Sequence, residues 1–320
     1  MSENVQTAVP VAGRSDEEGI GRRREREVQK GGNGRAGQAL SPSRLAIRRF
    51  RHHRLAMASV LLLSLLLLLA VLAPLISPYD PNAVNTAAYR EPPSGAHWLG
   101  TDSAGRDVLS RLLHGARVSL TVGIAAAVSA TGLGTLLGLI AGIFRGWVDA
   151  IIMRVVDVFL SFPPLVVILL LVAILGPSVT TIIVVIAAFE WPTACRIVRQ
   201  VSLSVREMDY VLSARAMGSG SLAIVRRHMI GPVLPPLTVV ATLLSANAIL
   251  LEAALSFLGL GVERPNATWG GMLQAAQSMT ILQEMPWLWL PPGVAIAATV
   301  LSINFMGDGL RDAFDPRQRL

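Results

Sequence analysis

The stretch that decides the fold is VLLLSLLLLLAVLAPLI, residues 60–76, which carries no charged side chain. The charge-free region extends from Leu55 to Tyr79, and a helix needs about 20 apolar residues to cross a hydrocarbon layer of about 30 Å. A cluster of arginines comes directly before it: Arg44, Arg48, Arg49, Arg51 and Arg54. Because arginine is enriched on the cytoplasmic side of membrane helices, the pattern predicts a helix whose N-terminal end is cytoplasmic. A cleaved signal peptide would have a shorter apolar region nearer the N-terminus, so we interpret the stretch as an uncleaved anchor.

Composition extends this interpretation to the whole chain. Hydrophobic residues make up 52% of the sequence and charged residues only 15%, whereas soluble domains carry about a quarter charged residues. The net charge of +7 comes almost entirely from arginine, since Lys30 is the only lysine, and much of it flanks apolar blocks. Basic stripes interleaved with aromatic residues are missing, which argues against nucleic-acid binding. Cys195 is the only cysteine and has no partner for an intramolecular disulfide.

Five more apolar blocks follow, so the sequence predicts an all-α membrane protein with six transmembrane helices and both ends in the cytoplasm. After the first helix, their predicted ranges are about 118–144, 158–175, 179–197, 233–258 and 287–306. The charge-free region 158–189 is too long for one helix, and Gly176-Pro177-Ser178 divides it, because proline disfavours helix continuation. Residues 145–157 are predicted to be a short cytoplasmic loop.

The predicted organisation has four parts. Residues 1–43 form a polar, Gly- and Arg-rich cytoplasmic tail that is expected to be disordered. Residues 44–117 hold the first helix and a periplasmic loop, residues 118–310 a five-helix core with a cytoplasmic loop at 199–232, and residues 311–320 a cytoplasmic tail. Four arginines fall in the outer loop and oppose the charge rule: Arg90, Arg106, Arg111 and Arg117. The predicted orientation therefore rests on the first arginine cluster and on the charged loop near 199–228.

Several polar or small residues inside the predicted helices are candidates for packing or transport. Gly134, Gly138 and Gly142 share one helix face, a spacing that lets helices approach closely within the chain or between subunits. Glu190 and Glu252 are possible gate or pore residues. For Glu190 we expect local pairing near the inner boundary, with substrate contact as the alternative. For Glu252 we expect helix packing or a gate, with pore lining as the alternative.

No catalytic or metal-binding pattern is present in the sequence. The histidines form no ligand pair at helical spacing, and neither H-E-x-x-H nor G-x-S-x-G occurs. A phosphate-binding loop needs a lysine before Ser or Thr, but Lys30 is followed by Gly31. We therefore predict a chain that is not an enzyme, holds no metal and does not bind ATP by that route.

The cytoplasmic loop is the most informative polar region, reading RQVSLSVREMDYVLSARAMGSGSLAIVRRHMIGPVLPPL from Arg199 to Leu237. Gly218-Ser219-Gly220 predicts a break between two short helices. Two apolar faces are predicted, one with Val211, Ala214 and Met217, the other with Leu222, Val225 and Met229. Such a pair, carrying Arg206, Arg215, Arg226 and Arg227, either lies on the membrane or docks into a groove of a partner protein. Physical reasoning alone leaves both open.

This loop resembles the EAA loop of binding-protein-dependent ABC importer permeases. Ala214 and Gly218 match the second alanine and the glycine of that pattern. Leu212 stands where glutamate is usual, Ser213 replaces the first alanine, and Ile230-Gly231 replaces Leu-Pro. These departures concern the chemistry of the contact rather than the position of the loop.

Three further segments resemble the C-type subunit of the dipeptide/oligopeptide/nickel permease group. They are HWLGTDSAGRDVLSRLLHGARVSL (97–120), GWVDAIIMRVVDVFLSFP (146–163) and EAALSFLGLGVERPNATWGGML (252–273). The resemblance covers about residues 44–315. It implies a type I ABC importer permease in the bacterial cytoplasmic (inner) membrane that forms half of a path for di- or oligopeptides.

The resemblance also implies partners and a coupling site. The partners are a paralogous B-type permease subunit, one or two cytoplasmic ATP-binding subunits that hold ATP and Mg, an extracytoplasmic solute-binding protein and membrane lipid, but no nucleic acid. The ATPase-coupling residues carried over by position are Tyr210, Val211, Leu212, Ser213, Ala214, Arg215, Ala216, Met217, Gly218, Leu222, Arg226, Arg227 and His228.

Two alternatives for the function stay open at this stage. The same architecture serves nickel or another small solute, and the sequence separates that reading poorly from peptide transport. An ion-coupled secondary transporter would carry carboxylates or broken helices at mid-membrane. In the predicted spans, Glu190 and Glu252 lie near the ends, which argues against that class.

Overall fold

A computed structural model of the protein describes residues 42–263 and 265–314, with side chains described from Leu45 onward. In this part of the chain the regular structure is helical, and an isolated bridge joins Thr101 to Asp107. The predicted disordered tail lies outside the described residues up to residue 41, and so do residues 315–320 of the predicted C-terminal tail. The helices are α1 (Pro42–His52), α2 (Arg54–Ile76), α3 (Val108–Phe144), α4 (Gly146–Leu160), α5 (Pro164–Leu175), α6 (Val179–Arg206), α7 (Asp209–Ala216), α8 (Ser221–Ile224), α9 (Ile230–Phe257), α10 (Trp269–Leu273), α11 (Met279–Glu284) and α12 (Pro286–Phe314).

Within the described residues, five continuous helical runs are long and apolar enough to cross a membrane. They are α2, α3, α6, the run from α8 through a π-helical turn at Val225–Met229 into α9, and α12. Helices α4 and α5 pass the same test only as a pair, and they are bent by 85° at the break between them. The described part of the chain therefore holds five continuous spans and one broken one as candidates.

The broken span corrects the sequence prediction for residues 145–175. That prediction had a cytoplasmic loop at 145–157 and one helix at 158–175, but residues 146–160 are helix α4. The break comes later, at Pro163 and Pro164, where proline supplies no backbone donor and Pro164 occupies the first turn of α5. The charges that indicated a loop have partners on α6: Asp149 binds Arg199, and Asp157 lies 2.7 Å from Arg196.

Contacts at the two ends of the helix bundle require the bent pair to cross the membrane. At one end Val108 clusters with Met272 and Leu288, so the segments before α3 and after α9 lie on the same side. At the other end Arg145 lies 3.4 Å from Glu207, so the segments after α3 and after α6 also lie together. If the bent pair did not cross the membrane, an odd number of crossings would lie between the two segments of each contact. The two segments would then be on opposite sides of the membrane and could not touch. The pair therefore spans, and the six-span all-α fold predicted from the sequence is confirmed.

The start of α2 and the end of α12 provide a third contact of the same kind. His53 lies 3.7 Å from Asp312, and a Cβ atom on Gly309 would contact the side chains of Ala56 and Phe50. Six crossings bring these two segments to the same face of the membrane. The contact therefore agrees with the count that the other two ends require.

Several helix ends extend beyond the predicted ones, because charged residues there indicated loops. Helix α12 continues to Phe314 rather than 306 and includes residues 311–314 of the predicted C-terminal tail. Helix α3 begins at Val108 rather than 118, and the Asp107 carboxylate caps it by accepting from the Ser110 N–H at 2.7 Å. Helix α6 continues to Arg206 rather than 197, so the first part of the predicted cytoplasmic loop is helical. Charged side chains at helix ends are thus paired or capped rather than part of the connecting loops.

Candidate functional site

The three glycines of α3 lie against α6 in the same chain. A Cβ atom at Gly134 would lie 2.6 Å from the Trp191 carbonyl oxygen, and one at Gly138 would lie 2.6 Å from the Cys195 carbonyl oxygen. A Cβ at Gly142 would overlap Ser202. Close approach of two helix backbones is the usual role of small residues in membrane helices, where helix packing replaces the hydrophobic effect. Because α3 and α6 are so close, the C-terminal end of α6 is held in a fixed position relative to α3.

The predicted pair of short cytoplasmic helices is present as α7 and α8, followed by the π-helical turn. Its inner side is a small core in which Val211, Ile224 and Met229 cluster with Ile143 and Val205 at the ends of α3 and α6. The Arg206 guanidinium donates to the Ile143 carbonyl. The rings of Tyr210 and His228 have centroids 5.7 Å apart and join α7 to the π-helical turn. The pair is therefore packed onto the ends of two membrane-spanning helices.

Gly218 has a specific backbone role at the end of α7. Its φ is +86°, a left-handed conformation that non-glycine residues rarely adopt. The Ser219 N–H donates to the Ala214 carbonyl at 3.0 Å, and the Gly218 N–H donates to the Arg215 carbonyl at 2.9 Å. These two bonds form a Schellman motif, which ends the helix and turns the chain. The glycine of the resemblance is thus explained by the turn that separates α7 from α8.

The two apolar faces predicted for α7 and α8 are only partly buried. Val211 and Ala214 are buried as expected, but Met217 is 79% exposed. Met229 is buried, whereas Leu222 is 81% exposed. The exposed residues of the predicted coupling set are Tyr210, Leu212, Ser213, Arg215, Ala216, Met217, Gly218, Leu222, Arg226 and Arg227. The pair thus presents exposed apolar side chains and exposed arginines, and its coupling role stays a prediction.

Glu252 lies fully buried at the other end of the bundle and has hydroxyl partners on both sides. The Ser119 hydroxyl of α3 donates to it at 2.9 Å, and the Ser256 hydroxyl of α9 donates at 2.7 Å. Those hydroxyls in turn accept from the Trp269 N–H and the Thr268 hydroxyl, both at 3.2 Å. The carboxylate therefore ties the short helix α10 to α3 and α9.

Sequence reasoning singled out Glu252 but missed its partners. Ser256 follows one helical turn later, a spacing that pairs side chains on one helix face and was the available signal. Ser119 and Thr268 come from distant parts of the chain and carried no such signal. The enclosed position of Glu252 is that of a packing group within this chain.

Glu190 has a different environment from the one expected near the inner boundary. Because α6 extends to Arg206, Glu190 lies about 16 Å along the helix from Val179, close to the middle of a layer about 30 Å thick. The expected local partner, Arg196, is bound to Asp157 instead. Glu190 lines an open cavity of about 410 Å³ together with Asn247 of α9. The argument that both intramembrane carboxylates lie near span ends was therefore wrong for Glu190.

The segment before α3 forms a compact structure held by two aspartates. Asp102 accepts from the Arg106 Nε at 2.8 Å and lies 3.5 Å from the Arg111 Nε. Asp107, besides capping α3, lies 2.9 Å from the His97 Nδ1. Gly105, with φ +70°, lies so close to the Asn85 carbonyl that a Cβ atom would overlap it. The conformation of the Gly105-Arg106-Asp107 turn is therefore set by contacts within the chain.

In the described part of the chain no group of three or more His, Cys, Asp or Glu side chains is placed to hold a metal ion. The polar groups brought together there are instead those of the α7–α8 pair, the Glu252 cluster and the Glu190 cavity. Each of these three groups includes or contacts residues of α3, α6 or α9.

Comparison with known proteins identifies the family. Residues 134–320, more than half of the chain, match the sequence profile described as "Binding-protein-dependent transport system inner membrane component". The chain belongs to this permease family. Residues 41–93 match a second profile, described as the N-terminal TM domain of oligopeptide transport permease C. The resemblance drawn from the loop and the three motifs is thereby confirmed.

Individual relatives match this permease over nearly its whole length. A protein of Brucella suis biovar 1 named as a peptide permease is 45% identical over 282 residues, 88% of this chain and 93% of the relative. The dipeptide transport system permease protein of Alkalihalophilus pseudofirmus is 40% identical over 88% of this chain and 92% of its own. The glutathione transport system permease protein of Pectobacterium atrosepticum is 40% identical over 87% and 92%. Together with the six spans, these matches define the chain as a multi-pass membrane permease and a transport subunit.

Proposed function

We propose that this permease forms half of the translocation path of an ATP-driven importer of di- and oligopeptides in the bacterial inner membrane. The observation that carries the proposal is that relatives matching about 88% of the chain are named for peptide, dipeptide and glutathione transport. A paralogous permease supplies the other half of the path. A solute-binding protein delivers the peptide to the outer face.

ATP hydrolysis belongs to separate subunits in this proposal. The only lysine, Lys30, is followed by glycine, so a phosphate-binding loop of the usual kind has no place in the sequence. One or two ATP-binding subunits hold ATP and Mg and close on each other when nucleotide binds. Their closure moves α7 and α8 and changes the populations of inward- and outward-facing states.

The exposed surface of α7 and α8, opposite their contact with α3 and α6, is the proposed docking site for these subunits. Met217 and Leu222 are largely exposed in this chain, and Arg215, Arg226 and Arg227 of the same helix pair and π-helical turn are exposed as well. Exposed apolar side chains accompanied by charges fit a groove of a partner protein, with the apolar residue as anchor. The packed inner side transmits the movement, because Val211 and Met229 contact the ends of α3 and α6.

Uptake by the reconstituted complex tests the function. Proteoliposomes carrying both permeases, the ATP-binding subunits and the solute-binding protein are expected to accumulate a labelled dipeptide only when ATP is present on the side of the ATP-binding subunits. Uptake driven by a proton gradient without those subunits would reject the proposal. Accumulation of Ni²⁺ in place of dipeptide would keep the importer and reject the peptide.

The substitution Leu222→Asp tests the proposed docking site of the ATP-binding subunits. Because the side chain is 81% exposed, the substitution leaves the core of the permease intact and adds a charge where an apolar contact is expected. We expect the ATP-binding subunits to bind at least about tenfold more weakly, the effect of losing a central anchor. Leu282→Asp, which adds the same charge to α11 beyond the other end of α9, is the control. Equal binding of both variants would show that the subunits attach elsewhere.

A further inference from the structure

Glu190 and Glu252 are the carboxylates of α6 and α9 that lie away from the helix termini in the described chain, and only Glu252 has hydrogen-bond partners there. Glu252 is enclosed and accepts from Ser119 and Ser256. Glu190 is half-buried, and within residues 42–263 and 265–314 it has neither a hydrogen-bond nor an ion-pair partner. A carboxylate in the membrane without a partner in its own chain marks a functional site, because lipid does not solvate the charge.

Glu190 lines a cavity that has few polar side chains and mostly apolar walls. The cavity measures about 410 Å³ and lies between the start of α5, the middle of α6 and α9. Asn247 is its second polar side chain, is exposed, and likewise makes no side-chain hydrogen bond within the described residues. The remaining walls are apolar and are formed by Pro164, Leu165, Leu250, Leu251 and Ala254. The cavity thus combines a carboxylate and an amide with an apolar lining.

The two polar groups lie at the same depth. Glu190 is about 16 Å from Val179 along α6, and Asn247 is about 15 Å from Phe257 along α9. Both distances are near half of a hydrocarbon layer of about 30 Å. Because α6 and α9 run in opposite directions, the residues meet at mid-membrane. The broken span contributes Pro164 at the same place, and broken helices line solute sites in other membrane transporters.

The occupant that fits is a small solute with a cationic nitrogen and an apolar body. A carboxylate and an amide oxygen both accept hydrogen bonds, and an ammonium group offers three N–H donors. We propose that Glu190 and Asn247 form the subsite that receives the α-ammonium group of the peptide as it crosses the membrane. The proposal rests on peptide import as the function. It makes the α6–α9 face of this chain the side that lines the path.

A cysteine introduced at position 247 tests the electrostatic effect of Glu190 on the cavity, and this test does not need the solute-binding protein. Cys195 is the only cysteine of this chain and is fully buried, so Cys195→Ser with Asn247→Cys gives this chain a single thiol, and labelling of this chain is followed in the assembled complex. After normalisation to a free thiol, a cationic thiosulfonate is expected to react about tenfold faster than an anionic one, and added Glu190→Gln is expected to remove this preference. Dipeptide added with a nucleotide analogue is expected to slow the labelling.

Two labelling results would overturn the subsite. Failure of both reagents to react would show that the cavity is closed to water. A cationic preference that survives Glu190→Gln would show that another group sets the field. Loss of the partner permease from the complex on Glu190→Gln would show that Glu190 pairs with a basic group of that subunit.

Transport by Glu190→Gln separates this proposal from the one on which it rests. Dipeptide uptake is expected to fall about tenfold, the equivalent of one hydrogen bond to a charged group, while loaded solute-binding protein still stimulates ATP hydrolysis. Glu190→Asp is expected to retain more uptake than Glu190→Gln, and Glu284→Gln, at an exposed position in α11, is expected to match the wild type. No uptake by the wild-type complex would reject peptide import itself. Normal uptake by Glu190→Gln beside an active wild type would reject only the subsite.

Discussion

Gly132 and Gly138 belong to the same helix, α3, but only Gly138 lies against a neighbouring helix. A Cβ atom at Gly138 would lie 2.6 Å from the Cys195 carbonyl oxygen and 2.8 Å from the Val198 Cβ, whereas one at Gly132 would contact nothing within 4 Å. We expect Gly138→Ala to destabilise the permease by about 1–3 kcal/mol, because a packed helix pair must separate. Thermal unfolding of the detergent-solubilised protein, followed by helical circular dichroism, measures the effect.

Gly132→Ala is the matched control for this residue. The same methyl group enters open space, and alanine favours a helix over glycine by up to about 1 kcal/mol, so the unfolding temperature is expected to stay the same or rise. Equal destabilisation by the two variants would mean that the contact between α3 and α6 is not tight in the folded protein.

Glu252 gives the second prediction at the residue scale. Glu252→Ala removes the acceptor of the Ser119 and Ser256 hydroxyls and leaves them buried without it. Each unsatisfied buried group costs about 1–3 kcal/mol, so we expect a lower unfolding temperature and faster proteolysis between α9 and α11, where α10 loses its anchor. Glu284→Ala, which removes an exposed carboxylate, is the control. Unchanged proteolysis of Glu252→Ala would show that the cluster does not hold α10.

At the element scale, the turn between α7 and α8 gives a prediction based on backbone conformation alone. Gly218 has φ +86° and Gly220 has φ −69°, and a Cβ atom at either position would contact nothing within 4 Å. Alanine in the left-handed conformation costs about 1–2 kcal/mol, so Gly218→Ala is expected to distort the Schellman turn and lower ATP-dependent uptake. Uptake by the reconstituted complex is the measurement.

Two further variants isolate the cause of that effect. Gly220→Ala adds the same atom at an ordinary φ and is expected to retain uptake. Gly218→Asn is expected to be milder than Gly218→Ala, because asparagine tolerates the left-handed conformation better than other residues with side chains. A ranking in which Gly220→Ala is as harmful as Gly218→Ala would indicate a steric effect of the partner subunit rather than a turn.

The helices also show how far the sequence determines the fold. The apolar cores of α2, α6, α9 and α12 were predictable, since long charge-free stretches have few other solutions. Helix α4 was missed because Asp149 and Asp157 indicated a loop. Their partners Arg199 and Arg196 lie on another helix, and local patterns do not contain such pairings.

The candidate site was likewise predictable only in part. The turn at Gly218 was predictable from its residues, whereas the position of Glu190 and Asn247 in one cavity depends on how α6 packs beside α9.

At the scale of the whole molecule, the structure accounts for two of the arginines that oppose the charge rule. Arg106 and Arg111 both lie within 4 Å of Asp102, and Arg111 is only 7% exposed. Arg106 is thus held in the segment before α3, and Arg111 is held in the first turn of α3. The predicted orientation, with a cytoplasmic start of α2, still rests on the arginine cluster at 44–54.

Labelling of single cysteines tests both the orientation and the crossing by the bent pair. In a Cys195→Ser background, a membrane-impermeant maleimide applied to spheroplasts is expected to label Ser94→Cys before α3 and Ser178→Cys after α5, both at exposed positions. Ser204→Cys, exposed near the end of α6, is expected to react only after permeabilisation.

If the α4–α5 pair entered and left the membrane on one side, Ser178→Cys would be protected and Ser204→Cys would be labelled, while the labelling of Ser94→Cys would not change. That result would place α7 and α8 outside, beyond the reach of ATP-binding subunits. Reversal of all three would instead invert the orientation and leave the count of six crossings intact.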